Sequence, residues 1–309
     1  MPTETHKGFP ESLYKLYSLK TVRALASMGY SSDASAELER FNEGRNKSLT
    51  LGELMQKAYN YYVQPHANPR EYEFINVLVR YLLESHIDQP PVIQIEQPVH
   101  NARVDVVAYY PTHGAHAYEI KTGRDSLDRL PHQIEAYSRT YRWVTVVTTR
   151  ERVDEVSAVV PEHVGISVLD EWRDPANGET VIGIADITAA SDTDALHMLH
   201  VDDITGNTRK WEPATALKIL GGAPDTTGCQ WSNNRDKLTA YPPSQVAEAM
   251  SNAIWQGREP SEHLKSLIQE APPALTARLL KMEPNKIQTR RILGALNSPT
   301  GQAFSEEQK

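Results

Sequence analysis

Apolar positions along the chain fall into two periods. From Asn68 to Leu83 they recur at helical spacing, with Phe74, Ile75, Leu78 and Leu82 on one face. Asn68 suits an N-cap and Pro69 the first helical position, which puts Glu71 where a capping glutamate would reach back to the Asn68 amide. Glu71 also shares the apolar face, whereas Glu73 falls off it. The pattern then turns to the alternation of strands in Arg103-Val104-Asp105-Val106-Val107 and Tyr118-Glu119-Ile120-Lys121. Between them Pro111-Thr112-His113-Gly114 is a run of turn formers, so the two segments predict a hairpin centred near Thr112. Antiparallel pairing about that centre sets Asp105 opposite Glu119, Val107 opposite Ala117 and Tyr109 opposite Ala115.

Downstream, Arg124 to Tyr137 reads as a helix or a pair of helical turns, with Gln133 and Tyr137 on a shared face. A strand follows at Trp143 to Thr149, a helix around Glu151 to Val160, and a strand around Val164 to Leu169. Upstream, Leu13, Leu16, Tyr17 and Leu25 mark an amphipathic helix that Gly29 ends, and Thr50 with Glu53 forms the capping box of another. Beyond Asp170 come a turn at Asp174 to Gly178, a returning strand at Thr180 to Ala185, and short helices broken by Gly221-Gly222, Pro242-Pro243 and Pro272-Pro273. The expected organisation is therefore a helical segment over 1–65, a core over 66–172, an extra strand with a helical region over 173–297, and a disordered tail over 298–309.

The hairpin carries the chemistry. Directly opposed residues hold their Cβ atoms roughly 4.5 to 5.5 Å apart on one side of the sheet, so the Asp105 and Glu119 carboxylates can share one ion. Two adjacent like charges need a compensating cation, and hard oxygen ligands at an open site suit Mg²⁺ or Mn²⁺. Lys121 joins Glu119 on the ligand side while Ile120 turns to the other face. There it can orient an attacking water or stabilise charge on a phosphate. The bland alternative is an exposed strand face with a cross-strand ion pair. For Gln133 and Tyr137 it is simple packing on the sheet, and for Glu71 it is the capping role.

Taken as a set, the order of elements from Asn68 to Leu169, with Asp105, Glu119-Ile120-Lys121 and Gln133-Xaa-Xaa-Xaa-Tyr137 inside it, resembles the PD-(D/E)XK nuclease superfamily. The Gln-Xaa-Xaa-Xaa-Tyr element looks like its RecB-like branch. Tyr118-Glu119-Ile120-Lys121, followed by Asp125-Ser126-Leu127-Asp128-Arg129-Leu130 and Gln133, is also similar to a poorly characterised bacterial and phage family assigned to that superfamily. The resemblance covers the middle third of the chain. Val104 departs from it, standing where many relatives have proline, at a position that supplies no ligand. It implies an α/β fold, a restriction-endonuclease-like mixed β-sheet core flanked by helices, with helical N-terminal and C-terminal extensions. It implies that Asp105 and Glu119 bind Mg²⁺ or Mn²⁺ through side chains and Ile120 through its carbonyl, that Lys121 positions the water, and that Glu71 is a further acid, direct or through a water. Gln133 and Tyr137 would help hold Lys121 and the substrate strand. The reaction implied is metal-assisted hydrolysis of DNA phosphodiester bonds.

Composition sets limits. At 309 residues and 39% hydrophobic, the chain supports one substantial core with helical attachments. No apolar run has membrane-spanning length and the N-terminus lacks the pattern of a secretory signal, so a cytoplasmic protein is expected, with no membrane partner. Cys229 is the single cysteine, which excludes an intrachain disulfide and a cysteine-rich zinc site, and the eleven histidines form no convincing ligand set, His197 and His200 included. The net charge of −8 argues against a generic nucleic-acid coat protein. Locally the sign reverses: Lys121, Arg124, Arg129, Arg139, Arg142, Arg150 and Arg152 outnumber Asp125, Asp128, Glu135 and Glu151 beside the hairpin, which suits a phosphate backbone. The last helix is basic too, with Arg278, Lys281, Lys286, Arg290 and Arg291 against Glu283, a surface for nucleic acid, for a protein partner of the C-terminal region, or for solvent alone. Two other classes compete with the nuclease: a catalytically silent DNA- or protein-binding module that keeps the fold, and an interaction protein working through its helical C-terminal half.

Overall fold

The computed structural model describes residues 14–29, 31, 38, 49–60, 70–86, 88–173, 180–191, 198–227 and 230–299. They belong to two compact units, Met1–Pro69 with Pro260–Lys309, and Arg70–Glu259. These units do not follow the four consecutive segments expected from the sequence, since the two ends of the chain fold together.

In the first unit, α1 (Leu19–Met28) opens where Ser18 accepts from the Thr21 amide and closes at Gly29, whose φ of 78° lets its N–H return to the Leu25 carbonyl. Helix α2 (Leu51–Ala58) carries the predicted capping box, with Thr50 and Glu53 bonding each other's backbone. Both ends thus stop where their sequence signals lie. Leu16, Val22, Leu25, Leu54 and Met55 form the buried stripe; Leu13 lies outside the described residues.

The second unit begins with α3 (Glu71–Glu84), capped at Arg70. Asn68 and Pro69 lie outside the described residues. Because the helix starts later than its sequence suggests, Glu73 takes the third helical position and accepts from the Arg70 amide at 2.6 Å. The capping role expected of Glu71 is therefore filled by Glu73, which is buried, while Glu71 sits exposed on the first turn. A strand absent from the sequence expectation follows, β1 (Val92–Val99), and then the hairpin of β2 (Ala102–Tyr110) and β3 (Gly114–Lys121). Val107 faces Ala117 and Tyr109 faces Ala115, as the turn centre dictates, and Gly114 takes a φ of 81° there.

Helix α4 (Leu130–Ser138) begins later than Arg124. Asp125 diverts the preceding residues into a turn, its Oδ2 accepting from both the amide and the hydroxyl of Thr122 at 2.7 Å. Then come β4 (Trp143–Thr149), the short α5 (Val153–Ser157), β5 (Gly165–Arg173) and β6 (Thr180–Thr188). The six strands pair in sequence order. β1, β2 and β3 are antiparallel, β3, β4 and β5 are parallel, and β6 returns antiparallel. Parallel neighbours need crossovers, which α4 and α5 supply. The protein is thus mixed α/β, a six-stranded sheet flanked by helices.

One sheet face, with Val107, Ala117, Val144, Val146 and Ile166, packs on Leu130, Ile134 and Tyr137 of α4. The other faces α3, which contacts β2, β3 and β6. On that face His116 is enclosed, its Nε2 2.8 Å from Thr145 Oγ1 and its Nδ1 3.1 Å from the Tyr118 hydroxyl. Burial pushes its pKa down from 6.5 to about 3. Between those values the unfolded chain binds a proton that the folded protein refuses, so acid favours unfolding. The urea midpoint is expected to fall as pH drops from about 6.5 towards about 3, and a His116→Gln variant should show a shallower slope over that window; equal slopes would contradict the assignment.

Helices α6 (Val201–Ile204), α7 (Glu212–Ile219), α8 (Gln230–Leu238) and α9 (Pro243–Gly257) complete the second unit around Leu217, Leu238, Val246 and Met250. Ser251 of α9 ties this group to the sheet, its hydroxyl bonding both the amide and the carbonyl of Tyr110. Helices α10 (Glu262–Glu270), α11 (Thr276–Met282) and α12 (Lys286–Leu296) belong to the first unit, where α12 packs on α1 and α2. Cys229, His197 and residues 300–309 of the expected tail lie outside the described residues. Among the described residues, no helix is long and apolar enough to cross a membrane.

Candidate functional site

At the end of the hairpin the ladder opens. The β2–β3 pairing stops at Val106 and Tyr118, one step before Asp105 and Glu119. On the other side, β1 pairs Ile95 with Val106 and Gln97 with Val104, and skips Glu96, which takes a φ of 55°. A non-glycine residue in that region carries a strain of roughly 1 to 3 kcal/mol, of a kind that gathers at functional sites. Asp105 is thus released from both neighbours, and its Oδ2 accepts instead from the Ile120 amide at 2.7 Å.

Glu119 is 2% exposed and engaged by three side chains. Its Oε1 accepts from Lys121 Nζ and from Gln133 Nε2, both at 2.6 Å. Its Oε2 lies 2.8 Å from the Tyr137 hydroxyl, which is also 2.7 Å from the Arg103 carbonyl. Gln133 Oε1 accepts from Lys121 Nζ at 3.0 Å, closing a ring of Glu119, Lys121 and Gln133. Gln133 and Tyr137, which the sequence puts on one helical face, both reach Glu119. Tyr137, however, is fully buried and so holds Glu119 rather than a substrate strand. Lys121 itself supplies the first countercharge to the carboxylate pair.

The remaining electrostatics are those of an acidic pocket around one ammonium. Burial, and then the charge of Glu119, push the pKa of Asp105 up from 3.8 to about 8, against the Ile120 N–H and Lys121, which favour the ionised form. Glu71 is also raised, by partial burial and then by the fields of Asp125, Glu96 and Glu119. Tyr137 is held well above its ordinary range by burial and by Glu119 beside it. Glu96 and Asp125 were not among the expected site residues. The signal for Glu96 was the apolar alternation of Val92, Ile93 and Ile95, a third strand leading into the hairpin.

Asp105 and Glu119 suit a single hard cation. A carboxylate offers about four acceptor positions, of which Asp105 uses one and Glu119 three, so about three remain on Asp105 and one on Glu119 for an ion. Ile120 sends its N–H towards Asp105, and the carbonyl of a strand residue leaves along the same edge as its amide. Glu71 is different. Among the described residues, no three His, Cys, Asp or Glu side chains close into a ligand set, and the charge of Glu71 helps to raise the pKa of Asp105.

Residues 65–220 match the family model of bacteriophage P4 protein cII, just over half of the 309-residue chain. The chain belongs to the bacteriophage P4 protein cII family. Comparison with curated proteins and with solved structures gives no match. The match associates this cII-family chain with phage, and it spans α3, the whole sheet, α6 and α7, so every residue of the site from Glu71 to Tyr137 lies inside the cII-family region.

Proposed function

We propose that this cII-family protein is a divalent-metal-dependent deoxyribonuclease, with a core of the restriction-endonuclease-like type. The observation that carries the reading is Lys121 Nζ, bonded at once to Glu119 and Gln133 beside the freed Asp105 carboxylate. The order α3, β2, β3, α4, β4, α5, β5 supports it, being the helix, strand, hairpin partner, helix, strand, helix and strand on which the resemblance to PD-(D/E)XK nucleases rests, with β1 added ahead of the hairpin. Held by Asp105, Glu119 and the Ile120 carbonyl, Mg²⁺ or Mn²⁺ would polarise a phosphoryl oxygen and acidify the attacking water. Lys121 orients that water and stabilises the charge that builds as the P–O bond breaks. Gln133 fixes the ammonium and Tyr137 the carboxylate. Glu71 adds a second acid at the rim, acting through a water.

The basic last helices, with Arg278, Lys281, Lys286, Arg290 and Arg291, would offer a surface to a phosphate backbone. The unit of residues 1–69 and 260–309 carries 15 Lys and Arg against 12 Asp and Glu, while the whole chain stands at −8. Lys286 and Arg290 stand exposed on α12. Lys286→Glu with Arg290→Glu is expected to weaken DNA binding about tenfold and to flatten its salt dependence, leaving the urea midpoint unchanged. Unaltered binding would remove this surface from the account.

The test of the enzyme is incubation with linear, circular and single-stranded DNA in Mg²⁺ or Mn²⁺ and then in EDTA. Cleavage that EDTA stops is expected; a protein that cuts none of the three substrates is not this enzyme. Two neighbouring glutamates sharpen the assignment. Glu71→Gln should slow cleavage about tenfold at unchanged stability, whereas Glu73→Gln should lose about 1 kcal/mol of stability from the helix cap and keep its turnover. The reverse pattern would assign the acid to Glu73. A second reading, a catalytically silent DNA-binding module, is favoured by one observation, the direct closure of Lys121 on Glu119. It predicts DNA retention without cleavage in any divalent ion.

A further inference from the structure

A cleft of about 370 Å³ opens on the sheet face that looks towards α3, away from the carboxylates. Successive strand residues alternate sides, so Asp105, Glu119 and Lys121 share the α4 face while Tyr110, His116, Tyr118, Thr145, Ser167 and Asp186 line this one. Those six form a polar row across five strands. Tyr110 bonds Tyr118, whose hydroxyl is 3.1 Å from His116 Nδ1; His116 Nε2 is 2.8 Å from Thr145 Oγ1; and Ser167 donates to Asp186 Oδ1 at 2.6 Å. A sheet face under an amphipathic helix is ordinarily apolar, and enclosed polar groups are costly unless satisfied. Gly165 lets Thr145 approach the β5 backbone, since a Cβ there would lie 2.6 Å from Thr145 Oγ1.

The walls are flat and aromatic. Tyr81 and His86 stand on the α3 side, and Trp143 on the sheet side, held under the Arg142 guanidinium at 5.1 Å from the ring centroid. His116 lies stacked on Tyr118, with centroids 4.1 Å apart. At the open end Asp186 is exposed and spends one oxygen on Ser167, while its Oδ2 has no hydrogen-bond donor among the described residues. A ligand for this site is planar, stacks on aromatic rings, and offers N–H donors to a carboxylate and an edge atom to a hydroxyl.

We propose that the cleft binds a nucleobase, and guanine in preference to the others. Guanine carries two adjacent N–H donors on its Watson–Crick edge, a match for the Asp186 carboxylate, where thymine has one. Aromatic stacking with edge hydrogen bonding is how unpaired bases are held. The base comes either from a free nucleotide or from an unpaired position in a strand, and the two share this chemistry. The inference stands apart from phosphodiester cleavage, because the cleft and Lys121 occupy opposite faces of the sheet.

Calorimetric titration of the full chain in EDTA with the four deoxynucleoside monophosphates, and with single-stranded oligonucleotides with and without guanine, tests it. The expected result is saturable one-to-one binding of deoxyguanosine monophosphate or the guanine oligonucleotide, at least tenfold tighter than its thymine counterpart. Asp186→Asn should remove that preference, and Tyr81→Ala should weaken binding about tenfold or more. Both side chains reach solvent, Tyr81 being 38% exposed, so both variants should keep the wild-type unfolding curve. The Lys121→Ala variant should bind the nucleotide as wild type does, which separates this site from the proposed nuclease centre. No saturable binding in any arm, equal affinity for all four bases, or binding indifferent to Asp186→Asn and Tyr81→Ala would overturn the proposal.

Discussion

Lys121→Ala is expected to lower Mg²⁺-dependent DNA hydrolysis by about 10³-fold. The side chain is only 10% exposed and its Nζ is fixed by two acceptors, Glu119 Oε1 at 2.6 Å and Gln133 Oε1 at 3.0 Å. A group held so firmly would lose little on meeting a substrate, and in the proposed mechanism its removal would take away both the orientation of the water and a charge facing the phosphate. The same substitution leaves Glu119 buried without its ammonium, so a fall in stability is expected as well. The two effects are separable. DNA binding in EDTA should keep most of the wild-type salt dependence, because one buried lysine is a small part of the charge that a phosphate backbone would meet, while single-turnover cleavage collapses. Lys121→Arg, which retains the charge but not the geometry of a single nitrogen, should recover stability and little of the rate. Gln133→Ala and Tyr137→Phe should show smaller losses of about 10- to 100-fold, as expected for groups that orient a ligand. A Lys121→Ala protein that cleaves at the wild-type rate would exclude the lysine from the chemistry.

Arg258→Ala is expected to cost about 3 to 5 kcal/mol of stability. The Arg258 guanidinium meets Glu212 in two parallel contacts, Nε to Oε1 at 2.5 Å and Nη2 to Oε2 at 2.8 Å, and its Nη1 donates to Gln94 of β1 at 2.9 Å. The Glu212 side chain has no exposed surface and that of Arg258 only 8%. One residue after α9 thus fastens α7 and the first strand of the sheet. Truncating it leaves a carboxylate inside the protein that still accepts from the Arg209 amide at 2.6 Å. Urea unfolding is the measurement. The double variant Arg258→Met with Glu212→Leu should regain most of the loss, because a buried ion pair replaced by apolar groups of similar size is often neutral. A loss below about 1 kcal/mol for Arg258→Ala would mean that solvent reaches the pair.

Why some of this was legible in the sequence and some was not follows from the range of the interactions. The hairpin register depended on a local turn, Pro111 to Gly114, and a period of two, so the pairs Val107 with Ala117 and Tyr109 with Ala115 could be set before any fold was known. The caps at Gly29 and Thr50 are equally local. β1 escaped because Gln94 and Gln97-Pro98 dilute its apolar alternation, and Glu96 was lost with it. The cap of α3 shifted because its entry is set at Arg70, which moved the reciprocal bond from Glu71 to Glu73. The ring of Glu119, Lys121 and Gln133 needed the crossover from β3 through α4 to β4, a tertiary fact, although the shared face of Gln133 and Tyr137 was visible. The polar row under α3 was invisible for the same reason, since its members come from five strands and meet only through pairing.

The central claim is that Asp105, Glu119 and Lys121 form one metal-dependent hydrolytic centre. It is tested most directly by single-turnover cleavage of end-labelled DNA across a Mg²⁺ titration, with wild type, Asp105→Asn and Lys121→Ala purified in parallel. The prediction is a saturable dependence on Mg²⁺ in wild type, abolished by EDTA and by either substitution. Cleavage that persists in EDTA, or equal rates in all three proteins, would contradict it.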